Sequence, residues 1–67
     1  MQEIIKMTLK AARVNKGLTQ SDFAHDLGVN KKTVWSWENH KTMPNAKLIQ
    51  PLCDLLGVTY DNIKWQG

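Results

Sequence analysis

The sequence predicts an all-α domain, a compact bundle of five short helices. Three observations lead there. Apolar residues recur three and four apart, as in Phe23, Ala24 and Leu27 or Leu48, Ile49, Leu52 and Leu56, and no strand-like alternation or internal repeat competes with them. Gly17, Gly28 and Gly57 stand where these stripes end, and glycine closes a helix because it takes a left-handed backbone at little cost. Thr19, Asn30, Asn45 and Thr59 stand where stripes begin, with side-chain oxygens suited to the free N–H groups of a first turn.

The first helix is expected from about Ile4 or Thr8 to Lys16, with Ile5, Leu9 and Ala12 inward and Gly17 ending it. Thr19 caps the second helix, with Asp22 three residues on as a capping-box partner. Gly28 stops that helix, Val29 turns inward, and Asn30 caps a third helix that carries Val34 and Trp37 inward and ends near Asn39. After the loop HKTMP, Asn45 caps a fourth helix bearing Leu48, Ile49, Leu52, Leu55 and Leu56. Pro51 fits badly there, since beyond the first turn proline removes a backbone hydrogen bond and crowds the preceding turn. A kink at Pro51 is expected, the other solution being a helix that starts near Gln50. A last short helix is expected over Tyr60 to Trp65. The shared core should then hold Leu9, Ala12, Leu18, Phe23, Ala24, Leu27, Val29, Val34, Trp37, Ile49, Leu52, Leu56, Val58 and Ile63.

Sixty-seven residues make one domain, 1–67. A chain this short buries only about 60% of its unfolded surface, so a stability of a few kcal/mol is expected. The net charge is +3 and the isoelectric point about 9.3, which favours an anionic partner. The placement of that charge says more. Residues 28–47 hold Lys31, Lys32, Lys41 and Lys47 against the single acid Glu38, whereas residues 48–67 hold Asp54 and Asp61 against Lys64.

The positive stretch falls on the most informative segment, QSDFAHDLGVNKKTVWSWEN at 20–39. It reads as two short helices joined by a tight turn, the second presenting lysines and small polar groups outward. Ala24 is small where two steeply crossing helices need their backbones close. This is a helix-turn-helix, a device that places a helix in the DNA major groove.

From Leu9 to about Trp65 the chain resembles the helix-turn-helix domain of phage repressors and Cro proteins, the xenobiotic-response-element family. The resemblance rests on GLTQSDFAHDLGVNKKTVWSWEN, then Pro44, then LLGVTYDNI. It implies a lambda-repressor-like five-helix bundle that binds operator DNA as a dimer to regulate transcription. It further implies that Gln20 contacts a phosphate and braces the reading helix, and that Lys31, Lys32 and Ser36 reach base edges. Arg13 and Glu38 would form an ion pair between the first and third helices. Two departures stand out. His40 replaces the glycine expected in a left-handed conformation after the third helix, and Pro51 replaces a solvent-facing polar residue.

The DNA-binding candidates are Gln20, Lys31, Lys32, Thr33, Trp35, Ser36, Asn39 and Lys41. Lys31 and Lys32 open the third helix, where positive charge opposes the helix dipole, so their placement suggests a use. Both can donate to guanine O6 and N7 or to phosphates. Ser36 shares their outward face, and Thr33 reaches a phosphate or supports its helix start. Trp35 points away from the Val34–Trp37 side, toward a thymine methyl or a sugar, or else over the loop at Thr42 and Met43. Gln20 stands at a helix N-terminus, where backbone N–H groups favour an anion. Asn39 and Lys41 follow the third helix as phosphate ligands.

Cys53 reads as a small buried side chain, and a lone cysteine suits a reducing, cytoplasmic setting. No apolar run approaches the roughly 20 residues of a membrane span. His25 and His40, far apart in sequence and without a second cysteine, suggest no zinc site. No carboxylate pair, Ser/His/Asp set or phosphate loop suggests an enzyme, so neither cofactor, metal nor small-molecule substrate is expected. The expected partner is double-stranded operator DNA, read by a phage-type regulator as a homodimer through Tyr60, Ile63 and Trp65, pairing that so short a chain can confine to DNA. The competing readings are an antitoxin-type interaction module that also binds its own promoter, and the DNA-binding fragment of a longer regulator.

Overall fold

A computed structural model of the chain describes residues 6–65. The order of elements is β1 (Met7–Thr8), α1 (Leu9–Asn15), α2 (Gln20–Leu27), α3 (Lys31–Glu38), α4 (Ala46–Leu56), a single 3₁₀ turn (Tyr60–Asn62) and β2 (Ile63–Lys64). Ile4 and Ile5, expected in the first helix, lie outside the described residues. The helix itself starts at Leu9, because Thr8 is extended (φ −69°, ψ 159°) and its hydroxyl accepts the Ala11 N–H at 3.0 Å.

The helix-turn-helix follows its caps. Thr19 accepts the Asp22 N–H at 3.0 Å, and its own N–H donates to Asp22 Oδ2 at 3.3 Å, a complete capping box. Gly28 closes α2 at φ +74°, and the Val29 N–H reaches back to the Ala24 carbonyl at 2.9 Å. Asn30 then accepts the Thr33 N–H at 3.3 Å and starts α3. His40 takes the left-handed conformation at φ +58°, the one non-glycine residue to do so among the described residues.

α4 runs without interruption from Ala46 through Pro51, so a start near Gln50 is excluded. Pro51 and Lys47, whose carbonyl loses its usual donor, are both exposed, so water can satisfy that carbonyl. Asn45 precedes the helix in extended conformation but makes no side-chain capping bond.

The fifth helix and the absence of strands are corrected. Only Tyr60–Asn62 turn helically, and Ile63–Lys64 pair in parallel with Met7–Thr8, Met7 beside Ile63 and Thr8 beside Lys64. Asn62 Oδ1 accepts from both the N–H and the hydroxyl of Thr59 and tightens the turn. Ile63 then leaves it extended (φ −102°, ψ 131°), which suits a β-branched residue and drives its side chain into the core.

Leu9, Ala12, Phe23, Ala24, Val34, Trp37, Leu52, Cys53, Leu56 and Ile63 form that core. Leu18, Leu27, Val29, Ile49 and Val58 pack around it half-buried, with Met7, Leu48, Leu55 and Trp65. Every residue expected in the shared core is in one of these two groups. At 2% exposure Ile63 is unavailable to a partner, so its place in the expected dimer surface is withdrawn.

Candidate nucleic-acid interface

Val34 and Trp37 anchor α3 inward, and the rest of the helix divides by its periodicity. Lys31 and Lys32 are exposed at its first turn, and Trp35 is 45% exposed one turn on. Ser36 lies half-buried at the edge of this face, one turn from Lys32. Thr33 is half-buried too, and its hydroxyl sits 3.4 Å from Asn30 Oδ1, so it supports the helix start. The exposed face therefore centres on Lys31, Lys32 and Trp35.

Behind this face lies a polar anchor. Arg13 Nε donates to Glu38 Oε2 at 2.6 Å and Nη2 to Oε1 at 3.2 Å, with both side chains almost wholly buried. Arg13 Nη1 also donates to the Leu18 carbonyl at 2.6 Å. Gln20, the first residue of α2, donates from Nε2 to Glu38 Oε1 at 2.9 Å. Three donors thus converge on a carboxylate at the last residue of α3 and tie it to α1 and α2. Glu38, the one acid of the lysine-rich stretch, is neutralised internally and does not offset the lysines in front of it.

This anchoring also defines what Gln20 and Asn39 have left to offer. Gln20 keeps a second N–H beside the one given to Glu38, since its amide nitrogen carries two. Asn39 Nδ2 donates to the Trp35 carbonyl at 2.9 Å, closing the end of α3, and likewise keeps one. Lys41 is exposed, its backbone N–H bonded to the Ser36 carbonyl at 2.9 Å.

A helix-turn-helix family profile matches residues 9–63. The chain belongs to the Cro/C1-type helix-turn-helix family. Among its relatives in this family is an uncharacterised HTH-type transcriptional regulator of Bacillus subtilis, 33% identical over 61 residues, or 91% of this chain and 88% of the relative. Another, from Methanocaldococcus jannaschii, carries the same description and is 36% identical over 59 residues, 88% of this chain and 89% of the relative. The matched span of the family profile begins with α1, runs across α2 and α3, and closes at Ile63, so it takes in the helix pair and the anchor that holds it.

Among the described residues no three of His, Cys, Asp and Glu gather as a metal site would require. No helix among them is long and apolar enough to cross a membrane.

Sequence reasoning missed the hydrogen bond from Gln20 to Glu38 and the part played by Trp65. Trp65 is half-buried, its indole N–H donates to the Tyr60 carbonyl at 3.1 Å, and its ring stacks on that of Tyr60 with centroids 5.3 Å apart. The signal was the alternation of Ile63, Lys64 and Trp65, which reads as a short strand once the helical expectation is set aside.

Proposed function

We propose that this protein is a sequence-specific double-stranded-DNA-binding regulator of transcription, a small Cro/repressor-type protein that lays α3 in the major groove of an operator. The observation that carries this reading is the division of α3 itself. One side is buried and fastened through Glu38, while the other offers Lys31, Lys32 and Trp35 to solvent with no acid among them.

Each residue takes a role set by its chemistry. Lys31 and Lys32 donate to guanine edges, Ser36 hydrogen-bonds at the margin of the face, and Trp35 packs on a thymine methyl. Thr33 sits at the helix start within reach of the backbone. Gln20, Asn39 and Lys41 engage phosphates on either side through their free donors, which fixes the register of α3 without itself reading sequence. Two copies read a palindromic site with half-sites about one helical turn apart, meeting through the C-terminal segment near Tyr60. Such a regulator, of the kind phages carry, works in the cytoplasm and needs no cofactor.

Selection of bound duplexes from a random pool, followed by a salt titration, tests the reading. A consensus with two-fold symmetry and an affinity that falls steeply with salt are expected. Indifference to every duplex at low ionic strength would sink it.

A further inference from the structure

Between the loop after α3 and the C-terminal segment lies a recess of about 440 Å³, lined by His40, Lys41, Thr42, Met43 and Trp65. His40 turns the chain there at φ +58°, and its Nδ1 lies 3.3 Å from the Trp65 carbonyl, which holds the two sides of the recess together. The Trp65 ring is stacked on Tyr60, and its N–H is given to the Tyr60 carbonyl at 3.1 Å. What the indole has left for an occupant is carbon. Met43, 45% exposed, adds a thioether, a group that packs well on aromatic rings. The Lys41 ammonium and the Thr42 hydroxyl are the donors, and no lining residue is an acid.

We propose that this recess is a ligand site for a small aromatic monocarboxylate, its ring against Met43 and Trp65 and its carboxylate on Lys41 and Thr42, and that the bound acid draws Lys41 away from DNA. The volume lies within the range of about 300–1,000 Å³ common to small-molecule pockets, which pair apolar walls with a few polar groups. Charge narrows the class. An uncharged ring would cover the ammonium without supplying an anion, and burial of an unpaired charge is costly. One lysine matches one negative charge, and a carboxylate accepts from both an ammonium and a hydroxyl. The acid is a ligand and not a substrate, since no chemistry is asked of it. Its effect on DNA follows from Lys41 having a single ammonium on a flexible stem, which cannot serve ligand and phosphate at once. That effect rests on the DNA-binding reading; the ligand site does not.

The test is a titration of the labelled full chain with 2-naphthoate, followed by heteronuclear NMR. The chain's three tryptophans each carry an indole N–H, so Trp35 and Trp37 serve as references for Trp65. Saturable shifts at Trp65 and at the Met43 methyl are expected, with the neutral 2-naphthamide binding about tenfold more weakly for want of its charge. Lys41→Ala should bring the acid down to the level of the amide, and Met43→Ala should weaken both roughly three- to tenfold. Both residues are exposed, so the core is untouched. Shifts that climb without saturating, or that are as large at Trp35, would overturn the site, as would an amide that binds as well as the acid. Trp65 and Met43 signals that move with protein concentration alone would overturn it in favour of a second copy. On a duplex enriched from a random pool, saturating 2-naphthoate should raise the Kd of the wild-type chain and have no such effect on Lys41→Ala. An unchanged wild-type Kd would overturn the link to DNA. If no duplex binds while the acid still saturates Trp65, the DNA-binding reading fails and the ligand site stands.

Discussion

Arg13 and Glu38 meet at 2.6 Å, both withdrawn from water, and they join α1 to the last residue of α3. Truncating either to Ala leaves a charge buried without its partner, at a cost of about 3–5 kcal/mol, most of what a domain of this size possesses. The double replacement Arg13→Met with Glu38→Leu, apolar on both sides, should cost less than either truncation. Urea unfolding of the three variants decides it, and a double variant weaker than both singles would refute the account.

Gln20 contributes to the same junction at lower stakes. Gln20→Ala removes one half-buried hydrogen bond to Glu38 and is expected to cost about 1–2 kcal/mol in urea unfolding. Its effect on DNA affinity should exceed what the unfolded fraction explains, because the remaining N–H is lost as well. Equal losses in stability and in binding would assign Gln20 to the fold alone.

Lys31 and Lys41 are both exposed, yet they should fail differently. Lys31→Ala is expected to cost about 1–3 kcal/mol at particular base pairs and to relax preference there. Lys41→Ala should weaken binding to specific and random duplexes alike. Matching profiles for the two variants across a panel of single-base changes would show that Lys31 does not read bases.

Gly28 isolates a backbone effect. Its φ is +74° and a Cβ there would meet nothing within 4 Å, so Gly28→Ala introduces conformational strain without a clash. A loss of about 1–2 kcal/mol is expected, and a smaller one for Gly28→Asn. Thermal unfolding of both variants tests the ordering.

Cys53 sits in the core between α4 and its neighbours, and burial, aided by Asp54 next to it, pushes its thiol above the ordinary range. The thiolate is therefore favoured in the unfolded chain. The corresponding stability is intact below the ordinary thiol range and is lost as pH rises through the elevated native value. A disulfide reagent at pH 8 should react with native protein far more slowly than with protein in denaturant. Comparable rates would contradict the burial.

The helix pair was legible in the sequence because each boundary there has a local chemical cause: the Thr19–Asp22 box, Gly28 in its turn, Asn30 at its cap. The core was legible for a related reason, since Phe23, Val34, Leu52 and their neighbours repeat with helical spacing. The C-terminal segment was not. Tyr60 and Ile63 stand three apart as in a helix, whereas Ile63 and Trp65 alternate as in a strand, and nothing local tells that Ile63 pairs with a strand from the far end of the chain. The Arg13–Glu38 tie came from family resemblance. The bond from Gln20 was invisible because it depends on how α2 and α3 cross, and Asn39 folds back onto its own helix for reasons set by its cap.

The pairing of Met7 with Ile63 also bears on the order in which the molecule is made. It closes the longest loop in the described chain, and long loops close late because their entropy must be lost before any contact compensates. A nascent chain on the ribosome therefore carries α3 well before it can complete the packing behind it. Until Ile63 has emerged and seated itself beside Met7, the helix pair proposed to meet DNA stands without part of its core.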